Sequence, residues 1–350
     1  MILKKVNELK GNEKLARALM TWDYQIILPE GAILKKEYIE RIYELGILDV
    51  YVEDDEAKTN EIVILKSEVE STVKETVKDI LERHTYQNNQ ELAELSKTAD
   101  SIITNILEEE QVVEQIYDIK ERSTDIYEHS ICICSFAILT ALKMGVDKDK
   151  IHDIGVGCLL HDIGLRYSEL DFVHRDVKSM SEQELIEYKK HPVYAYSALK
   201  DEKWISDLSK IIILYHHERL DGSGFPLRLK ELPLECRIVI VCDTFDEMIC
   251  GISQPQVKVY EAIEYMKNYK NIMFDSNVVD AFLSFTAVYP AGSRVITNDG
   301  DTAVVLSQNK EFQDRPIIKI IKDNMGNDVT EEKIVDLVKV HNIFIESVID

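Results

Sequence analysis

The chain has 350 residues, with 41 basic against 64 acidic side chains and a formal net charge of −23. At ~100–200 residues per domain this length predicts two domains, or one large domain with attachments. A hydrophobic content of 45% supports a sizeable core and argues against global disorder. The acidic balance argues against general binding to DNA, RNA or anionic membranes, while leaving room for a local basic pocket for one small anion. The start, MILKKVNELKGNEKL, has no apolar core of signal-peptide length, and charges keep the apolar runs below transmembrane length, so a cytoplasmic protein is expected. Six cysteines (Cys132, Cys134, Cys158, Cys236, Cys242 and Cys250) sit mostly in apolar stretches without zinc-finger spacing, which predicts buried free thiols.

In chain order, residues 1–65 mix short β-like runs (Tyr24 to Leu28, Leu48 to Val52) with a helical stretch from Lys36 to Leu45. Gly31 and Gly46 punctuate them, and Glu53 to Glu56 reads as a solvated turn; the whole suggests a small α+β module for regulation or interaction. Residues 66–120 read as a helical connector. Leu92, Leu95, Ala99, Ile102, Ile103 and Ile106 give it one apolar face, a candidate homodimer contact or an ordinary core stripe. Helices continue through 121–288, where most histidines fall. From 289 to 350 the pattern turns β-rich, with Asn298-Asp299-Gly300-Asp301 as a hairpin turn between alternating apolar runs. The fold class expected is mainly α, with small modules at either end.

Six of the nine histidines fall at helix positions beside carboxylates or one another. His161-Asp162 ends the apolar helix GVGCLLHDIG, with Gly164 placed to terminate it. His191 stands in KKHP, His216-His217-Glu218 ends KIIILYHHE, and Asp243 ends RIVIVCD, one turn before Asp246. Asp125 and His129 share a helical face at i, i+4. Any one of these alone reads as a cap or a satisfied polar group. Together they suit first-row divalent ions, because consecutive buried histidines beside an acid are costly without partners. His152-Asp153 is an earlier copy of His161-Asp162; nine residues of helix turn it ~180° away, toward the surface.

The ordered set His129, His161-Asp162-Ile163-Gly164, Lys190-His191-Pro192, His216-His217-Glu218, Asp221-Gly222-Ser223-Gly224-Phe225-Pro226 and Asp243 resembles the HD-GYP branch of the HD metal-dependent phosphohydrolases. The resemblance runs from about Asp125 to Pro290. It implies an all-helical domain with a multi-metal centre that hydrolyses the bacterial second messenger cyclic di-GMP to pGpG or GMP, by attack of a hydroxide held between the ions. It also implies that His129, His161, Asp162 and Asp243 hold one metal, and that Asp162 bridges to a second held by His191, His216 and His217. Iron or manganese is expected. His161 and Asp162 are the catalytic pair on this reading.

Departures from the family pattern refine the expectation. Leu165 stands where the family usually has Lys, and Asp125 where Glu is common; both argue for two ions rather than three, with Asp125 a further candidate ligand. Phe225 replaces the family's Tyr. No Arg-rich segment follows Asp243, since Cys250 to Gln256 carries no cation. Substrate contacts then fall to Gly224, Phe225, Pro226 and the cations Lys189, Lys190, Arg228 and Lys230. Two competing readings follow: a cyclic dinucleotide sensor or scaffold that hydrolyses slowly or not at all, and a phosphohydrolase of another phosphoester.

Overall fold

A computed structural model describes all residues except 1, 21–25, 30, 53–58, 85–90, 109–111, 123–124, 169–178, 253–254, 311 and 350. The expected turn at Glu53 to Glu56 and the start of the Tyr24 run lie outside the described residues. The chain forms two compact units, Val63–Val288 and, together, Met1–Ile62 with Tyr289–Asp350.

In the unit built from both ends of the chain, strand β1 (Ile2–Lys5) leads to β2 (Leu19–Met20), β3 (Ile26–Leu28), helix α1 (Lys36–Glu44) and β4 (Asp49–Val52). β1 pairs antiparallel with β4, Ile2 opposite Val52. Val6, Leu15, Leu34, Ile42, Val50 and Val52 close a small core beneath them.

The helices of the larger unit are α2 (Ser67–Arg83), α3 (Glu94–Leu107), α4 (Ile126–Lys143), α5 (Lys148–Leu160), α6 (Glu182–Tyr188), α7 (His191–Leu199), α8 (Asp207–Tyr215), α9 (Leu234–Cys250), α10 (Val259–Asn268) and α11 (Ser276–Leu283). The fold is mainly helical. α4 is its axis: fourteen of its eighteen residues are buried, in one unbroken run from Glu128 to Ala141. A helix apolar on every side needs neighbours on every side, and α2, α3, α5, α9 and α11 supply them. α4 is also long and apolar enough to cross a membrane by length and composition. The stripe of Leu95, Ala99, Ile102 and Ile106 on α3 is buried as well, with α3 packed on α4 and α5.

The C-terminal strands are β5 (Arg294–Thr297), β6 (Thr302–Asn309), β7 (Phe312–Lys322), β8 (Asp328–Asp336) and β9 (Ile345–Ile349). They form an antiparallel sheet in the order β8-β7-β6-β5-β9. The β5–β6 hairpin closes through Asn298 to Asp301, where Gly300 takes φ +84° and Thr297 N–H donates to the Asp301 carbonyl at 3.0 Å. Val295, Ala303, Val305, Ile318, Ile320 and Leu337 make its core.

Candidate metal centre

Helix ends carry most of the site. Asp125 caps α4, its Oδ1 accepting from the N–H groups of Tyr127 and Glu128 at 3.0 Å each, while its Oδ2 meets Lys74 at 2.7 Å. His129 follows one turn later. His161 and Asp162 stand at the end of α5, His191 opens α7, His216 and His217 follow α8, and Asp243 lies midway along α9.

Four of the site's five histidines share a common device. His161 Nδ1 lies 2.7 Å from the Cys158 carbonyl, His191 Nδ1 2.8 Å from that of Tyr188, and His216 Nδ1 2.8 Å from that of Ile213. A carbonyl only accepts, so in each ring Nδ1 donates and Nε2 is aimed at the centre. His129 does the same through Asp246, its Nδ1 2.7 Å from Oδ2. The sequence places Asp246 one turn after Asp243 but does not mark it as the partner of His129.

Asp162 stands between two groups. Its Oδ2 lies 3.3 Å from His161 Nε2 and 4.0 Å from His129 Nε2; its Oδ1 lies 3.2 Å from His191 Nε2 and 3.7 Å from His216 Nε2. Asp243 Oδ1 is 3.3 Å from His129 Nε2, and its Oδ2 is 3.7 Å from His217 Nδ1. Three sets of ligand atoms each fall within 4.8 Å: Asp162, His191, His216 and His217; His129, His161 and Asp243; and His217, Asp243 and Glu247.

These atoms fit divalent cations. His161 Nε2 and both carboxylate oxygens of Asp243 are buried without a hydrogen-bond partner, a cost that bound cations remove. His191 Nε2 and His216 Nε2 lie 3.0 Å apart with both Nδ1 atoms already donating, so two lone pairs confront each other unless a cation or proton separates them. Burial, with His161 and His191 beside it, pulls His216 down to about 3. His217 falls well below the usual imidazole range by burial and by its neighbours His216 and His191. Both rings are therefore neutral at neutral pH, as ligation requires. Burial opposes the charge of Asp162, but His161 and His191 outweigh it and hold its carboxyl well below the usual range. His129 is buried too, yet Asp243 and Asp246 keep its proton well above the usual imidazole range.

Gly164 does not end α5 through a left-handed turn. The helix ends at Leu160, and Gly164 sits in the short 3₁₀ turn of Ile163–Tyr167. A Cβ there would stand 1.9 Å from the His191 carbonyl oxygen, so the missing side chain lets the start of α7 lie on the turn. That contact brings His191 to Asp162. His152 is half-buried rather than on the open surface, with Nε2 3.1 Å from Ser96 Oγ on α3.

Glu218, the third residue of HHE, faces the following loop. Its Oε1 accepts from Leu227 N–H at 2.6 Å and Arg228 N–H at 3.0 Å, and its Oε2 from Leu229 N–H at 2.9 Å. The loop folds back so closely that a Cβ on Gly224 would lie 2.5 Å from the His217 carbonyl oxygen. Phe225 therefore stacks on His217, ring centroids 4.5 Å apart and 28° between planes, followed by Pro226 across a cis peptide bond. Lys189 Nζ lies 5.7 Å from the Phe225 centroid. Lys190 pairs with Glu187 at 2.9 Å, and Arg228 and Lys230 are exposed. Tyr188, buried against His191 at 5.1 Å between centroids, completes the aromatic wall.

The HD domain family matches residues 75–278. The chain belongs to the HD domain family. Its ordered motifs place it in the HD-GYP branch, and a KOW domain associated with HD domains matches residues 294–350. The HD protein is similar to the cyclic di-GMP phosphodiesterase PA4108 of Pseudomonas aeruginosa, 27% identical over 70% of this chain and 59% of that one. It is also similar to the cyclic di-GMP phosphodiesterase response regulator RpfG of Xanthomonas campestris, 32% identical over 41% of this chain and 39% of that one. The chain thus spans less than two thirds of these relatives. Among solved structures, Bd1817, an HDG"Y"P protein from Bdellovibrio bacteriovorus, shares the fold at 19% identity and TM-score 0.54, covering 80% of this chain and 97% of that one.

Proposed function

We propose that this HD domain protein is a metal-dependent phosphodiesterase that hydrolyses cyclic di-GMP. The observation that carries the reading is Asp162: one oxygen turned to His161 and His129, the other to His191 and His216. The names of the similar proteins from Pseudomonas and Xanthomonas supply the substrate. In this reading His129, His161 and Asp243 hold one divalent ion, His191, His216 and His217 the other, and Asp162 serves both; iron or manganese suits the imidazole and carboxylate donors. When bound, two such ions supply Lewis-acid stabilisation of a phosphoryl oxygen and a reactive water at neutral pH.

The rest falls to the chain. The backbone carbonyls and Asp246 fix four of the five imidazoles before binding, so little reorganisation is needed there. Glu218 holds the loop that sets Phe225 beside His217, giving a flat aromatic face for a nucleobase. Lys189, next to that face, is the cation best placed for a substrate phosphate, whereas Lys190 is already paired with Glu187.

Purified protein loaded anaerobically with ferrous iron or manganese tests this. The expected result is linear dinucleotide or GMP from cyclic di-GMP, with turnover removed by Asp162→Ala. Metal bound with no product from cyclic di-GMP sinks the reading. A sensor that binds without turnover is favoured by one observation, the absence of any basic residue in Cys250 to Gln256. Saturable binding of cyclic di-GMP without hydrolysis would establish it.

A further inference from the structure

His84 stands outside the motifs of the centre, yet it reaches the turn that follows His161 and Asp162. It comes directly after α2 and is buried, with Nε2 2.7 Å from the Tyr167 hydroxyl oxygen and the two rings edge to face at 5.9 Å between centroids. Tyr167 ends the 3₁₀ turn Ile163–Tyr167, which begins directly after Asp162. A 3₁₀ run of five residues is uncommon, because its own hydrogen bonds are poorly aligned. Outside contacts hold this one: Gly164 seats it on the start of α7, and Tyr167 ties its far end to His84. Leu165 N–H donates to the Asp162 carbonyl at 3.0 Å, which joins the turn to the backbone of Asp162. The same helix reaches the other flank of the centre. There Lys74 meets Asp125 at 2.7 Å and Glu128 at 3.1 Å, and Glu82 accepts from the Tyr127 hydroxyl at 3.3 Å, all within the turn of α4 that leads to His129. α2 therefore grips both sides between which the Asp162 carboxylate stands.

We propose that His84 is a positioning residue for Asp162. Through the Tyr167 hydroxyl it fixes the far end of the Ile163–Tyr167 turn, and with it the place of the Asp162 carboxylate between His129 and His191. That carboxylate lies 4.0 Å from His129 Nε2 and 3.2 Å from His191 Nε2, and a displacement of about 0.5 Å is enough to degrade a site of this kind. This rests on the metal-centre reading above and adds to it a hold from α2, which supplies none of the clustered ligand atoms among the described residues.

The test titrates metal-stripped full-length protein with Mn2+, followed by calorimetry and by electron paramagnetic resonance, in which two ions sharing a carboxylate give a coupled signal. Tyr167→Phe removes one oxygen and keeps the ring. It should weaken one Mn2+ by about 10-fold, the low end for loss of a group that orients a ligand, and diminish the coupled signal. With cyclic di-GMP, kcat should fall by a similar factor while KM stays unchanged. His84→Phe should match it, and the double variant should be no worse than either, because both changes break the same bond. Tyr167→Phe is the milder change and decides the matter if His84→Phe misfolds. Lower melting temperatures with wild-type Mn2+ affinity and coupled signal would overturn the proposal, leaving His84 a packing residue. Additive losses in the double variant would overturn it too. Wild-type protein that binds no Mn2+ would overturn the metal-centre reading and this one together. Wild-type protein that binds Mn2+ without hydrolysing cyclic di-GMP would sink the substrate reading alone, since affinity and spectrum still decide the role of His84.

Discussion

Asp246 accepts the Nδ1 proton of His129 at 2.7 Å, and its other oxygen meets the buried guanidinium of Arg122. Arg122 also faces Glu128, Nε to Oε1 at 3.6 Å. A charge network thus runs from the segment before α4, through α9, to a ring at the centre. Asp246→Asn keeps an acceptor for His129 but loses the charge that makes the imidazole a better donor to a metal. The expected cost is about 10–100-fold in metal affinity, read by competition with a chelator of known affinity. Arg122→Met takes the guanidinium from the buried Asp246, while Glu128 keeps Lys74 at 3.1 Å, and should cost about 3–5 kcal/mol of stability. A melting temperature within a degree of wild type for Arg122→Met would show that the network contributes nothing.

Gly164 and Gly155 make a matched pair. A Cβ at Gly164 would meet the His191 carbonyl oxygen at 1.9 Å, and backbone cannot yield there without moving α7. A Cβ at Gly155 would meet only side chains, Ala99 Cβ at 3.2 Å and Cys134 Sγ at 3.5 Å. Gly164→Ala should therefore destabilise by about 4 kcal/mol or more and separate His191 from Asp162. Gly155→Ala should stay within about 1 kcal/mol, because the gain in helix propensity offsets the tighter contact. Chemical denaturation of both variants checks the pair; equal stabilities would refute the backbone-clash account.

The difference between these glycines also shows what the sequence made legible. The helices and the histidine and aspartate positions of the centre could be read directly, because periodicity marks the first and costly buried polar residues mark the second. The hairpin at Asn298 to Asp301 was legible for the same local reason. What could not be read depends on pairs far apart in the chain. Arg122 meets Asp246 across 124 residues, and β1 meets β4. Gly164 reads locally as a helix stop, whereas its use here is a contact with α7. Glu218 has no role legible in the sequence beyond its place in HHE, and only the loop's return shows that it accepts from backbone N–H groups. Asp246 stands one turn after Asp243 on α9, a spacing that marks a shared face but not its contact with His129.

Glu218→Gln isolates the loop. One amide oxygen replaces two carboxylate oxygens that accept from Leu227, Arg228 and Leu229, and the new NH2 group confronts an N–H donor. Loss of such bonds at a buried site costs about 2 kcal/mol. The expected phenotype is a rise in KM for the dinucleotide with the metal content unchanged, since no metal-ligating atom has been altered. Limited proteolysis should cut near Leu227 in the variant before the wild type. A variant that loses metal while the loop stays protected would assign Glu218 to the centre instead.

The six cysteines predict a stability limit on the alkaline side. All are buried and free. Burial pushes Cys236 up to about 12 and raises the thiols of Cys132, Cys134, Cys158, Cys242 and Cys250 as well. In the unfolded chain these groups ionise near ~8.5. Below that pH folded and unfolded states both hold the protons, and the thiols add no pH dependence. Above it the unfolded chain sheds protons that the fold retains, so stability falls as pH rises, by up to about 1.4 kcal/mol per pH unit for each thiol. Thermal melts from pH 7.5 to 10 should show this decline, and Cys134→Ala and Cys236→Ala should each make it shallower. A thiol reagent at pH 8 should label the folded protein slowly and all six sites in denaturant. Rapid labelling of the folded protein would mean that at least one thiol is accessible and outside the buried set.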